Sequence, residues 1–232
     1  MIDNPLNPTL PQESSVNTRP NLVWLASFPR SGNTLIRTIL WNCFGLRSGS
    51  IYPNDLGNNT QLEKFVGHIE HEHGKIVCPE NQAVLPIKTH ELDRDSSPAI
   101  YIVRDGRDAI TSLWDFYGQQ ISLQKLIEGN HQFGTWQNHL ASWRYPDRPN
   151  TLFLKYETLT SNFEETLNSI STFLKHDIAS HQLPNREVIA GVDGRWVRQN
   201  ASPNNRALQG DLLELFNAVN AKALAQTGYF QN

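Results

Sequence analysis

VWLASFPRSGNTLIRTILWN, residues Val23 to Asn42, decides the fold. An apolar, β-branched run ends at Ala26. A tight Ser-Phe-Pro-Arg-Ser-Gly-Asn-Thr segment follows, and an amphipathic helix begins near Thr34. Strand, short Gly-containing loop and helix N-terminus together make an anion cradle. Free backbone N–H groups and the positive helix end converge on one point, and Arg30 adds a full charge there. The expected guest is a phosphate or sulfate ester. The loop is not a standard ATP-binding P-loop, which needs G-x-x-x-x-G-K-[ST]. Here Gly32 is followed by Asn33, and the basic residue, Arg30, precedes the Gly.

Working outward, the chain alternates strands and helices. Leu22–Ala26 reads as a buried strand. Leu35, Ile36, Ile39, Leu40 and Phe44 then recur at helical spacing, with Gly45 as cap. Val84–Ile87 and Ala99–Val103 are further apolar strands, and Thr151–Leu154 is a fourth. Between them lie helical patterns built on Ala109, Ile110, Leu113, Trp114 and Phe116, and on Trp136, Leu140 and Trp143, the latter stopped by Pro146. Ser161-Asn-Phe-Glu164 matches a capping box opening a helix with Phe163, Leu167, Ile170 and Leu174 on its apolar face. Leu212, Leu215, Phe216, Val219 and Leu224 predict a C-terminal helix ending at Gly228. Continuous apolar strands separated by helices predict an α/β fold: one three-layer domain with a central parallel β-sheet flanked by helices, P-loop NTPase-like. Residues 46–82 are polar and irregular and read as an excursion or lid.

Bulk properties narrow the function. A chain of 232 residues can bury a substantial core in one domain, and the net charge of −3 does not indicate a broad nucleic-acid surface. No apolar run approaches a membrane span. Residues 1–20, rich in Pro, Asn and Ser, lack a basic start and an apolar h-region, so they read as a flexible leader before a catalytic domain over 21–232. Cys43 and Cys78 form no C-x-x-C pair. A cytoplasmic protein without structural disulfides is expected. His68, Glu70, His71, Glu72 and His73 do not have the H-E-x-x-H spacing and read as a hydrated, mobile loop with no metal.

In open parallel sheets, ligands bind outside the carboxyl ends of the strands. The first strand here ends in the anion loop, and the second in Lys88-Thr89-His90. The third ends in Arg104, with Ser112 about two helical turns on, and the fourth in Lys155-Tyr156. Singly, each has a plain structural explanation. In conjunction, four strands set anion-binding or titratable groups along one edge.

In these segments the chain resembles sulfotransferases that use 3′-phosphoadenosine 5′-phosphosulfate (PAPS). SFPRSGNT (Ser27–Thr34) resembles the family's 5′-phosphosulfate loop, and IKTH (Ile87–His90) its catalytic-histidine segment. YIVRDGRDAITSLWDF (Tyr101–Phe116) resembles its 3′-phosphate segment, with FLKYETL (Phe153–Leu159) in support. The resemblance runs from about Asn21 to Leu174 and more weakly to Tyr229. It implies that Arg30, Ser31, Gly32, Asn33 and Thr34 hold the 5′-phosphosulfate, and that Arg104 and Ser112 hold the 3′-phosphate. Tyr156 would touch adenine, Lys88 the transferring sulfuryl group, and His90 would act as general base. Lys88, His90 and Arg30 would then be the catalytic set. PAPS would be the co-substrate and 3′,5′-phosphoadenosine (PAP) the product, with no metal required. The acceptor would be a small molecule or glycan bearing a hydroxyl, or less favourably an amine, with no nucleic-acid or membrane partner.

Three departures stand out. Arg30 occupies a position where family members often carry Lys. Leu35 stands where cytosolic members commonly place an adenine-stacking Trp. The family's C-terminal Arg-Lys-Gly loop has only Arg195-Trp-Val-Arg198-Gln as its nearest match, and from it Arg198 is assigned to the cofactor. A nucleotide-dependent small-molecule kinase and a catalytically silent nucleotide-binding protein are the alternatives. The missing Gly-Lys-[Ser/Thr] loop weighs against the first, and the presence of His90 against the second.

Overall fold

The computed structural model describes residues 21–192 and 208–229; the leader expected over 1–20 lies outside them. In chain order the elements are strand β1 (Asn21–Ser27), helix α1 (Asn33–Phe44), strand β2 (Gly49–Ser50), helix α2 (Thr60–Val66), the short strands β3 (His71–Glu72) and β4 (Lys75–Ile76), and strands β5 (Val84–Thr89) and β6 (Ala99–Val103). Helices α3 (Gly106–Phe116), α4 (Leu123–Ile127) and α5 (Trp136–Ser142) follow, then strand β7 (Thr151–Lys155). Helices α6 (Thr158–Ser161), α7 (Phe163–Leu174), α8 (Arg186–Val192), α9 (Asp211–Val219) and α10 (Ala221–Thr227) complete the order.

The sheet runs β2-β5-β1-β6-β7, and every pair is parallel. Residue alternation divides it between two cores. Ala99, Tyr101 and Val103 of β6 pack with Ala26 against α3, α4, α5, α9 and α10. Ile100 and Ile102 pack with Val23 and Leu25 against α1 and α7 on the opposite face. With both faces covered, the strands are apolar on both sides, as the continuous runs in the sequence require. The register pairs Ala26 with both Thr89 and Tyr101, so the carboxyl ends of the three central strands finish level.

Four local expectations are corrected. The Ser161–Glu164 capping box does not form: Ser161 ends α6, its hydroxyl donates to Glu157 O at 2.9 Å, and Asn162 precedes α7 without a side-chain cap. The C-terminal helix is two helices, divided at Asn220. That side chain is buried, donates to Phe216 O at 3.0 Å and accepts from Gln137 N–H at 3.0 Å. Residues 46–82 are not a loose excursion. They supply edge strand β2, and α2 buries Leu62 and Val66 with Leu56 and Ile189. The His68–His73 stretch is not an irregular loop either: Glu70, Glu72 and His73 are exposed, but the stretch runs into the β3–β4 hairpin and His68 is buried against Arg37.

Candidate active site

The anion loop is built from backbone conformations that only certain residues tolerate. Gly32 has φ 108°, and Arg30 takes φ 65°, a positive value uncommon for a residue with a Cβ. Ser31 N–H donates to Phe28 O at 3.2 Å, closing the turn. Helix α1 starts at Asn33 with no side-chain cap. Its first ladder bond runs from Ile36 N–H to Gly32 O at 3.1 Å, so the preceding amides stand outside the ladder. Ser31 Oγ is buried without a partner beside them. An anion supplies the acceptors that such a helix start lacks.

Gly32 is required for a second reason. A Cβ there would meet Tyr156 Cδ2 at 2.6 Å, so the Tyr156 ring lies directly on the loop. The Arg104 guanidinium stacks on that ring, 4.6 Å from its centroid, and donates to Arg30 O at 2.9 Å. It also faces Asp108 at 3.9 Å, and its Nε is buried without a hydrogen-bond partner. Arg30 Nε donates to Ser112 Oγ at 3.2 Å, and its guanidinium lies 5.0 Å over Phe116. Arg30, Ser31, Gly32, Arg104, Ser112 and Tyr156 thus form one connected cluster, although they come from three parts of the sequence. Asn33 differs from its neighbours. Its side chain turns inward and donates to Leu25 O at 2.8 Å, so only its backbone amide faces the loop opening.

At the end of β5, Lys88 is buried and forms an ion pair with Asp55. His90 is half-buried. Its Nδ1 lies 2.8 Å from Ser27 O, and a carbonyl can only accept, so Nδ1 carries the proton and Nε2 keeps its lone pair. Burial, reinforced by the Lys88 ammonium, holds the His90 pKa down to about 3, so the imidazole is neutral. A chain of buried groups fixes the ring's backbone. Tyr101 Oη donates to His139 Nδ1 at 2.6 Å, and His139 Nε2–H donates to His90 O at 3.0 Å. Tyr52 stacks on the His90 ring, accepts from His90 N–H at 3.0 Å and donates to Glu91 at 3.4 Å.

A family model described as the sulfotransferase domain matches residues 20–207. The chain belongs to the sulfotransferase family. Among its relatives, the Rattus norvegicus protein named sulfotransferase 2B1 is 26% identical over 225 residues, covering 87% of this chain and 63% of that protein. A WSCD family member of Drosophila pseudoobscura pseudoobscura is 41% identical over 108 residues, 44% of this chain and 30% of that one. The chain spans somewhat less than two thirds of the length of the curated relatives it matches. In fold it matches retinol dehydratase crystallised with retinol and PAP, with TM-score 0.63 and 16% identity over 89% of this chain and 82% of that one.

Arg195 and Arg198 lie outside the described residues. Four further residues escaped sequence reading: Arg37, Tyr52, Asp55 and His139. One signal was available, since Arg37 is a charge set among the apolar residues of α1. Among the described residues, no helix is long and apolar enough to cross a membrane. Asp105, the carboxylate a kinase reading needs for Mg²⁺, is engaged elsewhere: it caps α3 through Arg107 N–H at 2.9 Å and pairs with the Arg107 guanidinium at 2.6 Å.

Proposed function

We propose that the chain transfers a sulfuryl group from PAPS to the hydroxyl of an acceptor, in line and without a resident metal. The observation that carries this reading is the tautomer of His90: Nδ1–H is held by Ser27 O, leaving the Nε2 lone pair for an acceptor proton, one strand away from an uncapped helix start. In the step, the acceptor oxygen–sulfur bond forms as the bond between sulfur and the bridging phosphate oxygen breaks. The acceptor proton passes to His90 Nε2, and the leaving negative charge settles on the 5′-phosphate of PAP.

The loop amides of 31–34 and the Arg30 guanidinium would receive the 5′-phosphosulfate. Lys88 would face the transferring group. Arg104, with Ser112, would receive the 3′-phosphate, and Tyr156 the adenine. Such a loose transition state asks for positioning and charge stabilisation rather than covalent chemistry. Arg30 supplies charge but no proton. Burial and Lys88 lower the pKa of His90, and the negative charge of a bound donor would raise the proton affinity of the imidazole again.

Calorimetry tests the donor: PAP should bind with EDTA present, and tighter binding of ATP–Mg²⁺ than of PAP would overturn the reading. A screen of phenols, alcohols, sugars and amines with ³⁵S-labelled PAPS tests transfer and identifies the acceptor class. Substituting His90 by Asn should then lower kcat by about 10²–10⁴-fold with PAP affinity nearly unchanged. Near-wild-type turnover of that variant on an unactivated alcohol would remove His90 from the role.

A further inference from the structure

We propose that Asp55 is a positioning residue for the transfer step: its carboxylate clamps the Lys88 ammonium at the carboxyl end of β5 and is itself aimed by Arg37. The proposal rests on the reading of Lys88 given under Proposed function. Asp55 lies in a turn between β2 and α2, yet it is only 6% exposed. Its two oxygens have separate tasks. Oδ1 takes Lys88 Nζ, and Oδ2 takes Arg37 Nη1 at 2.5 Å. Arg37 in turn has its remaining nitrogens fixed: Nε donates to Ser48 Oγ at 2.8 Å, and Nη2 to Ser48 O at 3.3 Å and His68 Nδ1 at 2.8 Å. The carboxylate cannot rotate without breaking one of these contacts.

Stability does not account for such a cluster. Buried ion pairs are often no better for the folded state than apolar residues of equal volume. What the cluster does provide is a fixed ammonium in a dry position. Lys88 is faced by Asp55, Arg37, Arg30 and His90. Burial and the two guanidiniums favour the neutral amine, and Asp55 is the group that opposes them. The same turn also governs the base. Tyr52, three residues before Asp55, lies 5.8 Å from Lys88 Nζ and receives His90 N–H. A short stretch of the 46–82 segment therefore sets both groups at the end of β5.

The test is a cycle of D55N, K88M and the double variant, read in three ways. Transfer is followed as release of ³⁵S-sulfate from PAPS to water and as product formation with any acceptor found. D55N should lower kcat about ten- to hundred-fold, the cost of misplacing a reacting group, while PAP affinity stays close to wild type, a kcat effect without a binding effect. In the K88M background D55N should cost almost nothing further, because Asp55 acts through Lys88. The third readout needs no turnover: the ¹⁵N resonance of Lys88 Nζ, assigned by its loss in K88M. In D55N that ammonium should deprotonate at a pH lower by about one unit or more.

An equal D55N penalty with and without Lys88, or an unmoved Lys88 titration, overturns the proposal. A wild-type protein that neither binds PAP nor transfers sulfate overturns the functional reading instead, and the Lys88 titration still decides the clamp. Should D55N not fold, D55E carries the same cycle: it keeps the charge but displaces it, so it should retain the ammonium and lose kcat only when Lys88 is present.

Discussion

At the residue scale, the site depends on a few positions where no neighbouring residue type would serve. Gly32 combines φ 108° with Tyr156 Cδ2 at 2.6 Å from where a Cβ would stand. Gly32→Ala should therefore cost about 1–3 kcal/mol of backbone strain, and it should push the Tyr156 ring off the loop. The expected outcome is a lowered melting temperature together with loss of PAP affinity in calorimetry. An alanine variant with wild-type PAP affinity would contradict this packing. Arg104 serves two purposes, holding Arg30 O and stacking on Tyr156. A charge-assisted contact to a 3′-phosphate contributes about 1.5–3 kcal/mol, so Arg104→Ala should weaken PAP roughly ten-fold or more. It should also weaken a ligand without the 3′-phosphate, though less, because the loop backbone loses a tether. Equal losses for both ligands would assign Arg104 to the loop alone.

At the element scale, what the sequence discloses follows from periodicity and what it hides follows from chain reversal. Strands β1, β5, β6 and β7 announce themselves as apolar runs because both sheet faces are covered, and α1, α3 and α5 through their spacing. The positions of the 28–32 loop, Lys88 and His90 are legible for the same reason: they lie at the ends of strands that can be read. Strand β2 is two residues long and leaves no period to detect. Asp55 and Tyr52 sit in a turn whose partners are 33 and 38 residues away, and no local pattern reports such a contact. The capping-box motif at Ser161 was present but unused, since α6 had already taken that serine. The division of the C-terminal helix turned on one side chain. Asn220 is 1% exposed and links α9 to α5. Asn220→Ala should cost about 1–3 kcal/mol by leaving Gln137 N–H without its acceptor, seen in urea unfolding as a lower midpoint at unchanged slope. Stability equal to wild type would mean that the two helices are held only by their apolar faces.

At the scale of the whole molecule, burial holds His68, His90 and His139 neutral inside the fold and lowers the pKa of His131 as well. Burial, with help from Arg37, brings His68 to about 4; burial and Lys88 bring His90 to about 3; burial brings His139 to about 4. All three folded values lie below the ordinary histidine value, so the unfolded chain binds more protons. Their stabilising contribution is complete above about pH 6.5 and is lost as pH falls toward 4, by at most about 1.4 kcal/mol per pH unit for each ring. Asp55, held at about 2 by Lys88 and Arg37 despite its burial, adds a further loss below the ordinary carboxylate range. Melting temperature should therefore be flat near neutrality and fall steeply between pH 6 and 4, and under the proposed function PAP should shift the curve upward. A melting temperature unchanged down to pH 4.5 would show that these rings are hydrated. The way the 46–82 segment is anchored also sets a rule for protein engineering. It looks like a module for exchange between relatives to redirect acceptor choice, yet Tyr52 and Asp55 are wired into β5 from within it. A chimera that replaces the whole segment discards both wires, whereas a graft confined to 57–82 keeps them only if it also retains His68, which holds Arg37, and the buried Leu62 and Val66.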